Sequence, residues 1–238
     1  MPVVELEVSI PQELSAIKLH QYQKYLSVAK NVDEDDKSNE FLNLKALEIF
    51  CGLSLKDSYN LPVSMFESVL KQLSECFEEK TDLVQRFKMT GSDGVTAEFG
   101  FIPNLDKMTF GEYIDLESYI TDWDNMHKAM AVMYRPIIAG KKHLYEIEPY
   151  EGSERWADVM KDAPVNVAMG ALVFFYRLGS KLSKYTMNSL LEEQEKMENT
   201  ALKQALEENG DGISQYMDLL EAMSTNLTQL QKFHYTPA

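Results

Sequence analysis

The sequence predicts a mainly α-helical protein with a minor β component, an α+β fold. We expect two tandem, diverged copies of a strand-plus-three-helix unit and a C-terminal helical extension. Three observations predict this: apolar residues recur at helical spacing, short alternating segments predict strands at residues 3–9 and 95–101, and three motifs recur in order. An apolar content of 45% over 238 residues is ample for a packed core.

The first recurring motif follows each predicted strand, which ends in an Ile-Pro pair. Residues 14–22 and 105–113 then match position by position: a leucine, a helix-capping Ser or Asp, two apolar residues, a Gln or Glu, and a tyrosine. We expect the two tyrosines, Tyr22 and Tyr113, to anchor the core of each unit.

The other two motifs are helical. Residues 45–50 are matched by 128–133, and a helix opened by Pro62 is matched by one opened by Pro164. The sequence offset between matching residues is 91, then 83, then 102. A two-fold pseudo-symmetric arrangement of the copies would bury their similar apolar faces.

Two polar insertions explain the changing offset. The first copy carries an acidic loop at residues 33–37, and the second carries a short hairpin near 138–151. A strand at 83–89 is expected to pair with 95–101 across a turn that contains Asp93-Gly94.

The predicted organisation has three parts. Residues 1–80 form the first copy, 81–185 the second copy with its hairpin, and 186–238 the C-terminal extension. The extension is predicted to contain helices at about 186–208 and 213–233.

The last predicted helix carries a narrow apolar stripe at heptad spacing, which includes Ile213, Leu220 and Leu227. The stripe either packs on the body of the chain or binds a protein partner.

A second candidate contact is an aromatic patch near the middle of the chain. Trp123, His127, Met130 and Tyr134 recur at spacings of four, three and four, and Arg135 follows. The patch is either an ordinary core stripe or a protein-contact surface, because interfaces concentrate aromatic residues and arginine.

Charge and targeting features exclude several partners. The formal net charge of −15 would repel a phosphate backbone, so neither nucleic acid nor an anionic membrane surface is expected to bind. The N-terminus lacks a signal-peptide pattern, and the apolar run 165–178 predicts a buried helix instead of a membrane span. We therefore expect a cytoplasmic protein whose two cysteines, Cys51 and Cys76, are reduced core residues.

The sequence offers no catalytic residue, cofactor-binding motif or metal ligand set. The four histidines lack metal-ligand spacing, and the phosphate-binding and nucleophile-elbow motifs are missing. The acidic run at residues 33–36 departs from a calcium loop at Lys37, Ser38 and Leu44, so a solvated loop is favoured.

Residues 108–117, 126–137 and 170–178 together resemble small proteins of tailed bacteriophages, often gut phages, some of which are similar to tail assembly chaperones. The resemblance covers roughly residues 14–184, and its motifs are structural. It implies a non-enzymatic role in virion assembly, in the cytoplasm of the host bacterium or in the virion.

A tail assembly chaperone would bind the helical tape-measure protein and shield its apolar stripe until the tail tube polymerises. Three alternatives stay open: a structural virion subunit such as a connector, ring or internal cargo protein, a cellular adaptor without a viral connection, and, last, an enzyme.

Overall fold

The structure is a computed structural model that describes residues 9–32, 36–90, 96–141, 144–196 and 221–225. It is mostly helical with one small antiparallel sheet, which confirms the predicted α+β class. The helices are α1 (Leu19–Ala29), α2 (Asp36–Cys51), α3 (Leu55–Tyr59), α4 (Val63–Phe77), α5 (Phe110–Tyr119), α6 (Met126–Met133), α7 (Glu154–Met160) and α8 (Val165–Lys196).

The sheet has four strands in sequence order, each antiparallel to the next. They are β1 (Arg86–Thr90), β2 (Thr96–Phe101), β3 (Tyr134–Lys141) and β4 (Leu144–Ile147). The pairing of Phe87 with Phe99 confirms the predicted first hairpin, and the pairing of β3 with β4 confirms a second hairpin near residues 138–151. That this hairpin is an insertion in a second copy stays a prediction. This second hairpin begins earlier than predicted, because β3 also pairs with β2 and so starts at Tyr134.

Local sequence signals fix where several helices begin. Pro62 and Pro164 each immediately precede a helix, where a missing N–H costs nothing. Thr109 caps α5, because its hydroxyl accepts from the N–H of Glu112 while the Glu112 carboxylate accepts from the Thr109 N–H at 2.7 Å.

Helix α8 contributes much of the core. Its first turns are almost fully buried from Val165 to Leu172, as expected for a buried apolar helix. The helix continues without a break through residues 185 and 186, where the sequence predicted the end of the second copy and a new helix. Residues 3–8 of the strand predicted at 3–9 and residues 33–35 of the acidic loop predicted at 33–37 lie outside the described residues. Residues 36 and 37 begin α2, so that part of the loop prediction is wrong.

Several elements recur at the predicted offsets. The 3-10 turns Leu14–Ala16 and Leu105–Lys107 lie 91 residues apart, and so do the first residues of α1 and α5. The first residues of α4 and α8 lie 102 apart. The internal duplication itself stays a prediction.

The two halves are not packed equivalently. Tyr22 is 3% exposed, whereas the matching Tyr113 is 50% exposed, so the prediction that both tyrosines anchor a core is wrong for Tyr113. The physical reason is that α1 packs against elements of the second half, including Trp123. The two-fold arrangement of the copies stays a prediction.

Candidate protein-contact surfaces

An extended junction joins the first half of the chain to the second. Residues 17–19, which lead into α1, run antiparallel to residues 163–165, which lead into α8. The Leu19 N–H donates to the Ala163 carbonyl at 2.8 Å, and the Val165 N–H donates to the Ile17 carbonyl at 2.8 Å. We call this contact the internal junction.

Apolar side chains seal the internal junction. Ile17, Leu19 and Val165 are all 0% exposed. At its rim, the Lys18 ammonium lies 2.8 Å from an Asp162 carboxylate oxygen. Both charges are more than half exposed, so the ion pair adds little and burial of the apolar residues supplies most of the stabilisation.

The counterpart of this contact on α5 is open to solvent. Phe110, which matches Leu19, is 79% exposed, Tyr113 is 50% exposed and Ile114 is 40% exposed. Their spacing places the three side chains on one face of the first turns of α5. We call them the α5 surface.

The counterpart at the start of α4 is open as well. Val63, which matches the buried Val165, is 72% exposed, and Met65, which matches Val167, is 54% exposed. Tyr59, at the end of α3, is 70% exposed beside them in the sequence. We call these three residues the α4 surface.

These surfaces account for most of the exposed apolar bulk in the described part of the chain. Its large exposed hydrophobic residues are Phe41, Tyr59, Val63, Met65, Phe110, Tyr113, Ile114, Ile138 and Leu144. Six of these nine belong to the α5 and α4 surfaces, so the exposure is concentrated where the internal junction has its sequence counterparts. The sequence alone did not reveal this, because apolar residues at helical spacing predict a buried face.

A buried ion pair holds α5 against the sheet. The Arg135 guanidinium, at the start of β3, lies 2.5 Å from a Glu112 carboxylate oxygen, and both side chains are more than nine-tenths buried. Burial alone raises the pKa of Glu112. Hydrogen bonds from Thr109 and from Arg135 nevertheless hold this pKa below its ordinary value. The pair therefore remains ionised and fixes α5 at its N-terminal end.

The predicted aromatic patch lies largely inside the molecule. Trp123 is 2% exposed and packs edge-on against Tyr22 with ring centroids 5.0 Å apart. Tyr134 is fully buried, and its hydroxyl donates to the Val84 carbonyl at 2.8 Å. The burial of Trp123 and Tyr134 agrees with the alternative in which the patch is an ordinary core stripe. Tyr134 does not share a helix with His127, because α6 ends at Met133 and Tyr134 begins β3.

His127 is half-buried on α6 and contacts the first half of the chain. Its Nδ1 lies 3.1 Å from the side-chain amide nitrogen of Gln23, which also donates to the Trp123 carbonyl at 2.7 Å. Burial, with smaller contributions from Lys161 and Lys128, lowers the pKa of His127. The imidazole is thus neutral near pH 7 and can accept a hydrogen bond from Gln23.

The three C-terminal candidates, Ile213, Leu220 and Leu227, lie outside the described residues. Residues 221–225 are helical, and Met223, another member of the predicted stripe, is 4% exposed. The partner-binding role of this stripe stays a prediction.

A polar recess of about 530 Å³ lies between the N-terminal segment and α4. Its lining includes Glu13, Glu75, Glu79 and Cys76. Burial, with help from the carboxylates of Glu79 and Glu13, raises the pKa of Cys76 to about 11. A thiol with that pKa is protonated near neutral pH and makes a poor nucleophile.

Among the described residues, no group of three or more His, Cys, Asp or Glu side chains is placed to hold a metal ion. None of the described helices is both long enough and apolar enough to cross a membrane.

Comparison with known proteins found no match: no family model, no curated protein and no solved structure matches the chain.

Proposed function

We propose that this chain is a non-enzymatic assembly protein of a tailed bacteriophage, which acts in the host cytoplasm by binding other protein chains. The observation that carries the proposal is the exposed α5 surface, with Phe110 at 79% exposure on a strongly acidic chain. Large exposed apolar side chains that lie together are a common mark of protein contacts, and a net charge of −15 opposes binding to nucleic acid.

The specific role that we propose is that of a tail assembly chaperone for the tape-measure protein. An amphipathic helix of the client would lay its apolar side on an exposed apolar surface of this chain. The acidic charge of the chaperone would keep the complex soluble until the tail tube forms.

The test is co-expression with the tape-measure protein of the same genome, followed by affinity purification and mass spectrometry. Wild-type chain should recover the client. Deletion of residues 213–233 tests the predicted C-terminal stripe, and Phe110→Asp tests the α5 surface. Leu144→Asp is the matched control, because Leu144 is 84% exposed in the hairpin of β3 and β4 and belongs to neither surface. A tape measure that is soluble and assembly-competent without this chain would contradict the chaperone role.

A structural virion subunit, such as a connector or ring protein, is the second candidate. The observation that favours it is the presence of two apolar surfaces on different helices, since a subunit of a ring needs one face for each neighbour. Quantitative mass spectrometry of purified particles separates the two roles. Many copies per particle favour the structural subunit, whereas a chaperone should be missing from mature particles.

We also propose that the two halves arose by duplication of one unit. Support comes from the equal offset of 91 residues between the two 3-10 turns and between the helices that follow them. The capping contacts match too: the Gln21 side chain accepts from the Lys18 N–H at 2.9 Å, as Glu112 accepts from Thr109.

A further inference from the structure

We propose that the α5 surface of one chain binds the α4 surface of a second copy of the same chain, and that this contact repeats the internal junction between molecules. The inference rests on the proposed protein-binding role of the two surfaces and names their partner. It starts from the proposed duplication, in which each surface is the sequence counterpart of one side of a contact that is present in the fold.

The side chains fit this reading position by position. Inside the chain, Leu19 and Val165 are both 0% exposed at the internal junction. Their counterparts, Phe110 and Val63, are 79% and 72% exposed. Each exposed residue has the same apolar character as its buried counterpart, so the burial that Leu19 and Val165 gain at the internal junction can be gained by Phe110 and Val63 in a contact between chains.

The backbone groups fit as well. At the internal junction the N–H groups of Leu19 and His20 donate to carbonyls of residues 163 and 161, at 2.8 and 2.9 Å. The counterparts of these donors are Phe110 and Gly111. They occupy the first turn of α5, where an N–H has no acceptor within the helix. A second chain can therefore supply the carbonyls of residues 61 and 59.

The two rim positions carry no charges that oppose the contact. The rim ion pair between Lys18 and Asp162 is replaced by Thr109 and Asn60, two neutral residues that can hydrogen-bond. The match between α1 and α5 ends one turn beyond Tyr113, where Glu117 stands in the place of the buried Leu26. The contact between chains is thus confined to the first turns of α5 and the start of α4.

The symmetry of the resulting assembly follows from the two surfaces. They are different patches, and each chain offers one of each, so two chains either make both contacts reciprocally in a two-fold dimer or make a single heterologous contact. In the second case, successive chains join head to tail and close into a ring or extend as a filament. In such an assembly the internal junction and the contact between chains alternate.

The test is the solution mass of the full chain, measured by light scattering after size-exclusion chromatography at about 100 μM, where a micromolar complex is populated. The wild-type chain and the control Leu144→Asp should both show at least twice the monomer mass of 27.3 kDa. Phe110→Asp and Val63→Asp should each reduce the mass to that of a monomer. Both positions are exposed, so both variants should fold, which circular dichroism checks.

Mixing the two variants tests the head-to-tail geometry. Phe110→Asp keeps an intact α4 surface and Val63→Asp keeps an intact α5 surface, so the mixture should form a one-to-one dimer that neither variant forms alone. Three outcomes would overturn the proposal: a monomeric wild-type chain, an oligomer that survives both substitutions, or a mixture that stays monomeric.

The results of these experiments distinguish a failure of this inference from a failure of the proposed function. A monomeric wild-type chain that recovers the tape-measure protein, and loses it on Phe110→Asp, would mean that the client occupies the α5 surface. A monomeric chain in which Phe110→Asp lowers only the thermal midpoint would mean that the chain's own residues cover this surface. Self-association without any client would retain the inference and remove the chaperone role.

Discussion

Leu19 and Phe110 are the first residues of two helices that lie 91 residues apart, yet Leu19 is fully buried and Phe110 is 79% exposed. The N–H of Leu19 donates to the Ala163 carbonyl, and the side chain lies within the core. Phe110 begins its helix in the same way as Leu19 does. In both helices the residue before the first one donates its N–H to a side chain three residues further on. The difference lies in what packs against each helix, not in the helix itself.

The buried ion pair should contribute strongly to stability. Arg135→Met leaves the Glu112 carboxylate buried without its cation, and we expect the free energy of unfolding to fall by about 3 kcal/mol or more. Arg177→Met is the matched control. Arg177 and Asp82 are both more than two-thirds exposed, so their loss should cost less than about 1 kcal/mol in chemical denaturation. Equal losses in the two variants would contradict this reading.

Two helical glycines should respond oppositely to alanine. A Cβ at Gly170 would lie 2.2 Å from the Asp82 carbonyl oxygen, so Gly170→Ala must push α8 away from the backbone and should destabilise the fold by about 1–3 kcal/mol. A Cβ at Gly111 would meet nothing closer than 4.0 Å. Gly111→Ala should therefore stabilise the fold by up to about 1 kcal/mol. Thermal midpoints that shift in the same direction would sink the argument.

His127 should make the fold less stable in mild acid. Burial lowers its pKa in the folded chain below the ordinary value of 6.5. As the pH falls through about 6.5, His127 becomes protonated in the unfolded chain while it stays neutral in the folded chain. The free energy of unfolding therefore decreases. His127→Asn keeps an acceptor for Gln23 but cannot titrate. Urea denaturation at about pH 7 and about pH 5.5 should show a smaller loss for this variant, and an identical loss would contradict the assignment.

The two cysteines should be unreactive in the folded chain. Cys51 and Cys76 are buried free thiols, and burial raises the pKa of each to about 11. At pH 8 only about one thiol in a thousand is ionised. A thiol-specific reagent such as DTNB should label native chain very slowly and two cysteines per chain in denaturant. Rapid labelling of the native chain would show that one of them is accessible.

Much of the fold could be predicted from local signals. Pro62 and Pro164 marked the starts of α4 and α8, and Asp93-Gly94 marked the first hairpin. Pro136 disfavours helix at Arg135, so the sequence also indicates that α6 ends before this residue, and α6 does end at Met133. These signals act between neighbouring residues, so one sequence is enough to read them.

The candidate surfaces could not be predicted in the same way. Phe110 and Tyr113 have the apolar spacing of a buried face, as Leu19 and Tyr22 do. Only the arrangement of the two halves determines which face is covered. The ion pair of Arg135 with Glu112 spans 23 residues and was missed for the same reason, because nothing local links the two positions.

The most direct test of the contact between chains is a disulfide at its centre. Lys18 and Pro164 face each other at the internal junction as a pair flanked by hydrogen bonds, and such pairs have Cα atoms about 4.5 Å apart, close enough for a disulfide. Their counterparts are Thr109 and Pro62. When Thr109→Cys and Pro62→Cys chains are mixed and oxidised, the account predicts a covalent dimer that joins the two variants, seen by non-reducing electrophoresis and confirmed by mass spectrometry of the linked peptides. A mixture that stays monomeric, or that links residues other than 109 and 62, would contradict it.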